Sequence, residues 1–154
     1  MGQFRFHPLC PVWTGPVGRT VARRVEEYGL QPLVIDINID TVLALQAEGK
    51  LALYGDATRA AILREAGVER CRYLVTSLPD AAANLGAVRQ ALTLNPGLTV
   101  LARARYLASG GALEEAGAAA VCYDEAEAAT ALAVVLRAHL KAGGATLASP
   151  PASA

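Results

Sequence analysis

Long hydrophobic runs are missing from this 154-residue chain. A membrane-crossing helix needs roughly 18 or more consecutive apolar residues. The longest candidate, Ala128 to Leu136, falls far short. Met1 to Pro11 lacks the basic start and apolar stretch of a secretory signal, so none is expected. Basic clusters are missing too: the formal net charge is +0, and no stretch is dominated by Lys or Arg. Nucleic acid is therefore not an expected partner, because binding it takes a basic surface that replaces counterions. Cysteine is scarce, limited to Cys10, Cys71 and Cys122. An odd count at these spacings fits neither a zinc site nor a CxxC motif. The expectation is free thiols packed in a reducing cytosol. His7 and His139 stand too far apart in sequence to be read as metal ligands.

Apolar residues make up 53% of the chain, and its length suits one domain with one core. Short apolar runs alternate with helical patterns. The runs are Leu33 to Ile35, Leu51 to Tyr54, Tyr73 to Val75, Leu98 to Ala102 and Ala120 to Cys122. Continuous runs of this kind fit strands buried on both faces of a parallel sheet. Between them, Val17, Val21, Val25 and Tyr28 recur at helical spacing, as do Leu85, Val88 and Leu92 before the stop Asn95-Pro96-Gly97. Val42 and Leu45 mark a further helix, and Ile62 and Leu63 a short one ended by Gly67. The strict β-α alternation predicts an α/β fold: a Rossmann-like, doubly wound parallel sheet of about six strands, with helices on both faces. Residues 1–142 read as one domain. Residues 143–154, rich in Gly, Pro, Ser and Ala, read as a disordered tail.

Trp13-Thr14-Gly15-Pro16-Val17-Gly18 stands where a G-x-G-x-x-G loop would join the first strand to the first helix. In a dinucleotide site the glycines permit the tight turn, the approach of backbone to pyrophosphate, and helix–strand packing. The phosphate then meets exposed N–H groups at the helix N-terminus. Here Gly15 and Gly18 are kept, but Trp13 replaces the first glycine and Pro16 has no N–H to donate. Pro8 and Pro11 fall where the central strand should run, so that strand is either short, beginning near Leu9, or distorted. These departures touch one side of the site and imply weakened or lost phosphate binding. The alternative is that the glycines serve only the strand–helix turn. Asp36 ends the second strand about 20 residues past the glycines, where a carboxylate accepts from ribose hydroxyls and repels a 2′-phosphate. The alternative is a capping or loop aspartate, a task Asn38 or Asp40 could also perform.

Three further segments carry a more specific pattern. Tyr54-Gly55-Asp56-Ala57-Thr58 is followed by Leu63-Arg64-Glu65-Ala66-Gly67-Val68. Asn95-Pro96 precedes Val100-Leu101-Ala102-Arg103-Ala104-Arg105, and Ala116 to Val121 reads AGAAAV. In that order, from Gly15 to Leu140, the chain resembles the TrkA-N/RCK family, the cytosolic nucleotide-sensing domains of potassium channels and transporters. The resemblance implies that Asp56 lies beside an adenine and Ala57 lines the same pocket. It implies that Asp36 binds ribose, that Thr76 and Ser77 lie near the ligand's middle, and that Arg103 reaches phosphates. Read from the residues alone, the alternative for Asp56 is an N-cap or Asx-turn, and for Arg103 a salt bridge to a neighbouring acid.

Function is read accordingly. The expected role is a cytoplasmic regulatory module, not an enzyme. It binds NAD(H) or an adenine nucleotide (ADP, ATP or AMP), weakened by Trp13 and Pro16, and acts on a membrane potassium transporter or channel subunit. An NAD-dependent oxidoreductase reduced to its cofactor half is one alternative. A degenerate Rossmann domain serving only in association is another. The last helix, from about Asp124 to Leu140, is apolar on nearly every side: Val134, Val135 and Leu136 point in directions about 100° apart. That pattern predicts a homodimer, with scope for higher assembly, and the resemblance points the same way. Asp124 and Glu127 have capping-box spacing at its start.

Overall fold

The computed structural model describes residues 12–14 and 17–144. The chain runs β1 (Val12–Thr14), α1 (Gly18–Glu26), β2 (Leu33–Asp36), α2 (Ile39–Ala47), β3 (Leu51–Tyr54), α3 (Ala60–Glu65), β4 (Tyr73–Thr76), α4 (Ala81–Leu94), β5 (Thr99–Ala104), α5 (Leu107–Glu115), β6 (Ala120–Tyr123) and α6 (Asp124–Ala142), with a 3₁₀ turn at Val68–Arg70. The strands form one six-stranded sheet in the order β3-β2-β1-β4-β5-β6. Every pairing is parallel. The α/β, doubly wound reading therefore stands. Leu9, Pro8, Pro11, Gly15, Pro16 and the tail from residue 145 lie outside the described residues.

The strand order reverses between β1 and β4. The chain builds outward through β2 and β3, returns to the middle, then builds the other way. Loops diverge at that point and leave a crevice at the carboxyl ends of the strands. Local chemistry ends each element on cue. The Asn38 side chain caps α2, accepting from the N–H groups of Asp40 (2.9 Å) and Thr41 (3.3 Å). Asp80 caps α4 through the Ala83 N–H at 2.7 Å. Gly67, at φ 80°, closes α3 with the left-handed residue that glycine supplies most cheaply. Asn95 stops α4, and its side-chain amide donates to the carbonyls of Val68 and Cys71, both at 2.9 Å.

Two apolar clusters flank the sheet. On one face Leu33, Ile35, Leu74 and Val100 pack with Leu63 of α3, Val88 of α4 and Leu113 of α5. On the other, Val34 and Ala52 pack with Ala22 of α1 and Val42 and Leu45 of α2. The expectation that all strands are buried on both faces fails for half the sheet. β2 is buried residue after residue, but β4 and β5 alternate between buried and half-buried positions. Leu101 pairs with Ala120, and Arg103 with Cys122, on a face that neither α1 nor α2 reaches. Cys122 is accordingly exposed while Cys71 is packed, a correction to the reading that the thiols are all packed; Cys10 lies outside the described residues.

α6 leaves this body with no buried residue. Asp124 does not cap it: the cap position is Tyr123, and no side chain bonds there. Instead Asp124 turns back to the sheet, where the Arg103 guanidinium donates to both its oxygens, one bond measuring 2.7 Å. The stronger partner is a fixed cation on β5, and a charge-assisted, two-pronged bond outcompetes a neutral cap. One residue on, the Leu107 N–H donates to Glu125 at 2.8 Å. The helix is thus moored by its first turn. Beyond the mooring, the Tyr123 ring lies against Gly110, where any Cβ would strike it, and its hydroxyl donates to Glu114 at 3.0 Å.

Leu63 is completely buried, whereas Leu43 is 56% exposed. Leu63→Ala is expected to cost about 2–5 kcal/mol in urea unfolding, and Leu43→Ala under about 0.5 kcal/mol. The Arg103 bond holds the Asp124 carboxyl below the ordinary aspartate range. A depressed pKa contributes stability above the unfolded value, near 3.9, that is lost as pH falls through the folded one. Both partners are partly exposed. The gap between wild type and Asp124→Asn should therefore be only about 0.5–1 kcal/mol at pH 7. It should close on acidification below about pH 4. Denaturation curves at pH 7 and pH 3 check this, and a gap that persists at pH 3 contradicts it.

Candidate functional site

The carboxyl ends of β2 and β3 and the β4–α4 loop enclose a cleft of about 560 Å³. Asp36, Asp56 and Asp80 all line it, with Ala57, Leu78 and Pro79 among the apolar walls. Asp36 ends β2, Asp56 and Asp80 follow β3 and β4, and each is held the same way. Asp36 Oδ1 accepts from the Asn38 N–H at 2.8 Å. Asp56 Oδ1 accepts from the Thr58 N–H at 2.9 Å and its hydroxyl at 2.7 Å. Asp80 Oδ1 accepts from Ala83. Backbone donors near the start of the next helix or turn thus fix the carboxylates by one oxygen. The Thr58 bonds, side chain first, hold the Asp56 carboxyl below its ordinary range, with Arg59 adding a smaller pull from 3.8 Å.

Three carboxylates around one cleft make it a place for donors. Hydroxyls and amines of a ligand can be accepted there, while phosphates are repelled. The α1 N-terminus opens at Gly18, beside β1 at the strand-order reversal, and topology puts any helix-end anion site there rather than in the cleft. Gly15 and Pro16 of that loop are outside the described residues.

The sequence-derived candidates separate into groups. Asp36, Asp56 and Ala57 share the cleft. Thr76 and Ser77 are buried and do not line it. Arg103 lines a second cavity of about 300 Å³, between α4 and α5, that shares only the walls Leu78 and Pro79 with the first. Its guanidinium is engaged by Asp124.

Sequence reasoning missed Asn84. This side chain, 2% exposed, accepts from the Thr76 hydroxyl at 2.6 Å and the Leu78 N–H at 3.2 Å, and donates to the Arg103 carbonyl at 2.9 Å. It also missed Asp80, whose cap position before an apolar helical run, followed four residues on by a polar Asn on the buried face, was the available signal. Among the described residues no group of three or more His, Cys, Asp or Glu could hold a metal ion, and no helix is long and apolar enough to cross a membrane.

Comparison with known proteins agrees with this geometry. The family model for the TrkA-N domain matches residues 14–124. A curated relative, the glutathione-regulated potassium-efflux system protein KefC of Cronobacter sakazakii, is 32% identical over 105 residues, which cover 68% of this chain and 17% of that protein. The chain thus spans about a sixth of the curated relative's length. Among solved structures, the TrkA-N domain of the inner membrane protein ybaL from Escherichia coli superposes with a TM-score of 0.78 at 25% identity, covering 82% of this chain and 96% of that one. A Kef C-terminal domain from Shewanella denitrificans, solved in an AMP-bound form, gives a TM-score of 0.73 at 22% identity, covering 85% of this chain and 80% of that one. The match across most of the chain, on a parallel sheet whose order reverses beside an aspartate-lined cleft, places this protein in the TrkA-N domain family.

Proposed function

We propose that this chain is a cytoplasmic regulatory domain that binds an adenine nucleotide or NAD(H) and gates a membrane potassium transporter or channel, of the Kef, Trk or channel type. The observation that carries the reading is Asp36. It ends β2, is fixed through Oδ1, and faces a cleft at the carboxyl edge of a sheet whose strand order reverses. A carboxylate so placed accepts from both ribose hydroxyls, and Asp56 and Ala57 offer the adenine side of the same cleft. The family's Kef relatives support the membrane partner, and AMP in a domain of the same fold supports the ligand class.

In this reading Gly15 and Gly18 face the phosphates, Trp13 and Pro16 weaken that contact, and Thr76 and Ser77 support the ligand's middle. Arg103, which the resemblance directs to the phosphates, spends two of its guanidinium nitrogens on Asp124 and keeps a third for a ligand. The domain is regulatory rather than catalytic. Turnover of NAD with an alcohol panel would favour an oxidoreductase instead, and absence of any nucleotide binding a domain for association alone.

The second part of the reading is a homodimer. Leu132, Val134, Val135 and Leu136 of α6 are each more than half exposed. They extend from a sheet whose β5–β6 half is open on one face. A second copy of the chain, laying its own α6 against these surfaces, covers both.

Calorimetry with AMP, ADP, NAD and NADP tests the ligand. Asp36→Ala is expected to lose about 1.5–3 kcal/mol of NAD or ADP binding, on the order of 10- to 100-fold. It should also narrow the gap to NADP. Equal NAD and NADP affinity in the wild type would show that Asp36 does not face a ribose. Sedimentation at micromolar concentration tests the assembly. A dimer dissociated by Val135→Glu is expected, and a wild-type monomer whose stability Val135→Glu leaves unchanged would refute it.

A further inference from the structure

We propose that Asn84 is a positioning residue that couples the nucleotide cleft to the mooring of α6. The proposal rests on the nucleotide reading above and adds the route by which occupancy leaves the site. Asn84 has one amide group and spends it on two strands. On the β4 side its Oδ1 accepts from Thr76 and from the N–H of Leu78, a residue that walls the cleft. On the β5 side its Nδ2 donates to the backbone carbonyl of Arg103. Arg103 then grips Asp124, the first residue of α6.

One planar side chain therefore stands between the wall of the cleft and the residue that holds the helix. Because the amide is flat and buried, its two ends cannot move independently. A shift of the β4–α4 loop must either carry the Arg103 backbone with it or leave a buried polar group unpaired, which costs about 1–3 kcal/mol. The element with two states is α6 itself. Its first turn is held by Asp124 and Glu125, and all the rest of it is exposed. Releasing the Arg103 fork frees its direction without opening a core. A physical pathway needs such an element, biased from both ends.

Coupling of binding free energies is reciprocal, so α6 must act back on the nucleotide. The experiment measures AMP affinity by calorimetry on the full chain in four forms: wild type, Asp124→Asn, Asn84→Ala and the double variant. In the wild-type background, Asp124→Asn is expected to change the AMP Kd about fivefold or more. In the Asn84→Ala background the same substitution should leave Kd unchanged. A purely structural role for Asn84 shifts all affinities but keeps the Asp124→Asn effect equal in both backgrounds, and that additivity overturns the proposal. No effect of Asp124→Asn in the wild type also overturns it, while leaving the nucleotide reading intact. No AMP binding by the wild type overturns both. If Asn84→Ala fails to fold, Thr76→Val replaces it: losing the hydroxyl that donates to Asn84 should shrink the Asp124→Asn effect, and an undiminished effect counts against the route.

Discussion

β2, β3 and β4 are each followed by a backbone N–H that an aspartate side chain accepts, and these bonds shape the cleft. A helix or turn that starts at a sheet edge has donors with no partner of their own. In β2, β3 and β4 the nearest acceptor is an aspartate a few residues upstream, and in each case one carboxylate oxygen takes the donor. Loop geometry and ligand chemistry thus come from the same atoms. The bonds that fix the turns also order the carboxylates, and at Asp56 the Thr58 bonds hold the carboxyl below its ordinary range. Capping and binding are usually weighed as rival explanations of an aspartate. Here the two explanations are compatible, because a carboxylate pinned by Oδ1 would present Oδ2 to a ligand without losing rotamer freedom.

Much of this was legible in the sequence. The βα alternation, the terminators Gly67 and Asn95, and Asp36 and Asp56 after apolar runs follow from local rules that the packing obeys. What stayed hidden depended on pairing across the sheet. Asn84 reads as an ordinary polar residue in an alanine-rich helix until Arg103, 19 residues away, is brought beside it. Arg103 and Asp124 are 21 residues apart, and only the register of β5 on β6 joins them, so Asp124 reads locally as a cap. The burial of β4 and β5 was misread for a related reason. Apolar runs report the hydrophobicity of both faces, but not whether the same chain supplies a cover for each.

That last point bears on how the domain is completed. α1 and α2 cover one face of β2 and β3 and reach Val75 of β4, and among the described residues one more helix, α6, stands beside the uncovered face of β5 and β6. It does not fold back. The Asp124–Arg103 fork and the Glu125–Leu107 bond fix its first turn at the carboxyl edge of β5 and β6, and Tyr123 fills the space above Gly110. The helix is directed outward by polar contacts at one end, while its apolar side chains stay exposed. A hydrophobic contact alone would favour return to the sheet, since burying an exposed valine or leucine is worth about 1.5–3 kcal/mol. The outward path is therefore specified by the mooring. It leaves two apolar surfaces, one on the helix and one on the sheet, that a second copy can satisfy together.

The polar contacts at that mooring are modest in energy, and that is suited to a switch. A buried core of the kind around Leu63 has no second arrangement of similar free energy, because close-packed side chains tolerate little displacement. A partly exposed ion pair is different. Water can replace either partner, so the bound and released states of α6 differ by little, and a ligand needs only a small differential affinity to tilt them. The fold keeps these two kinds of interaction apart. Leucine and valine secure the sheet between its helices, while Asn84, Arg103 and Asp124 run along its carboxyl edge, where the cleft lies. A nucleotide that settled against Leu78 would then act, through Asn84, on a partly exposed ion pair and leave the packed leucines and valines undisturbed.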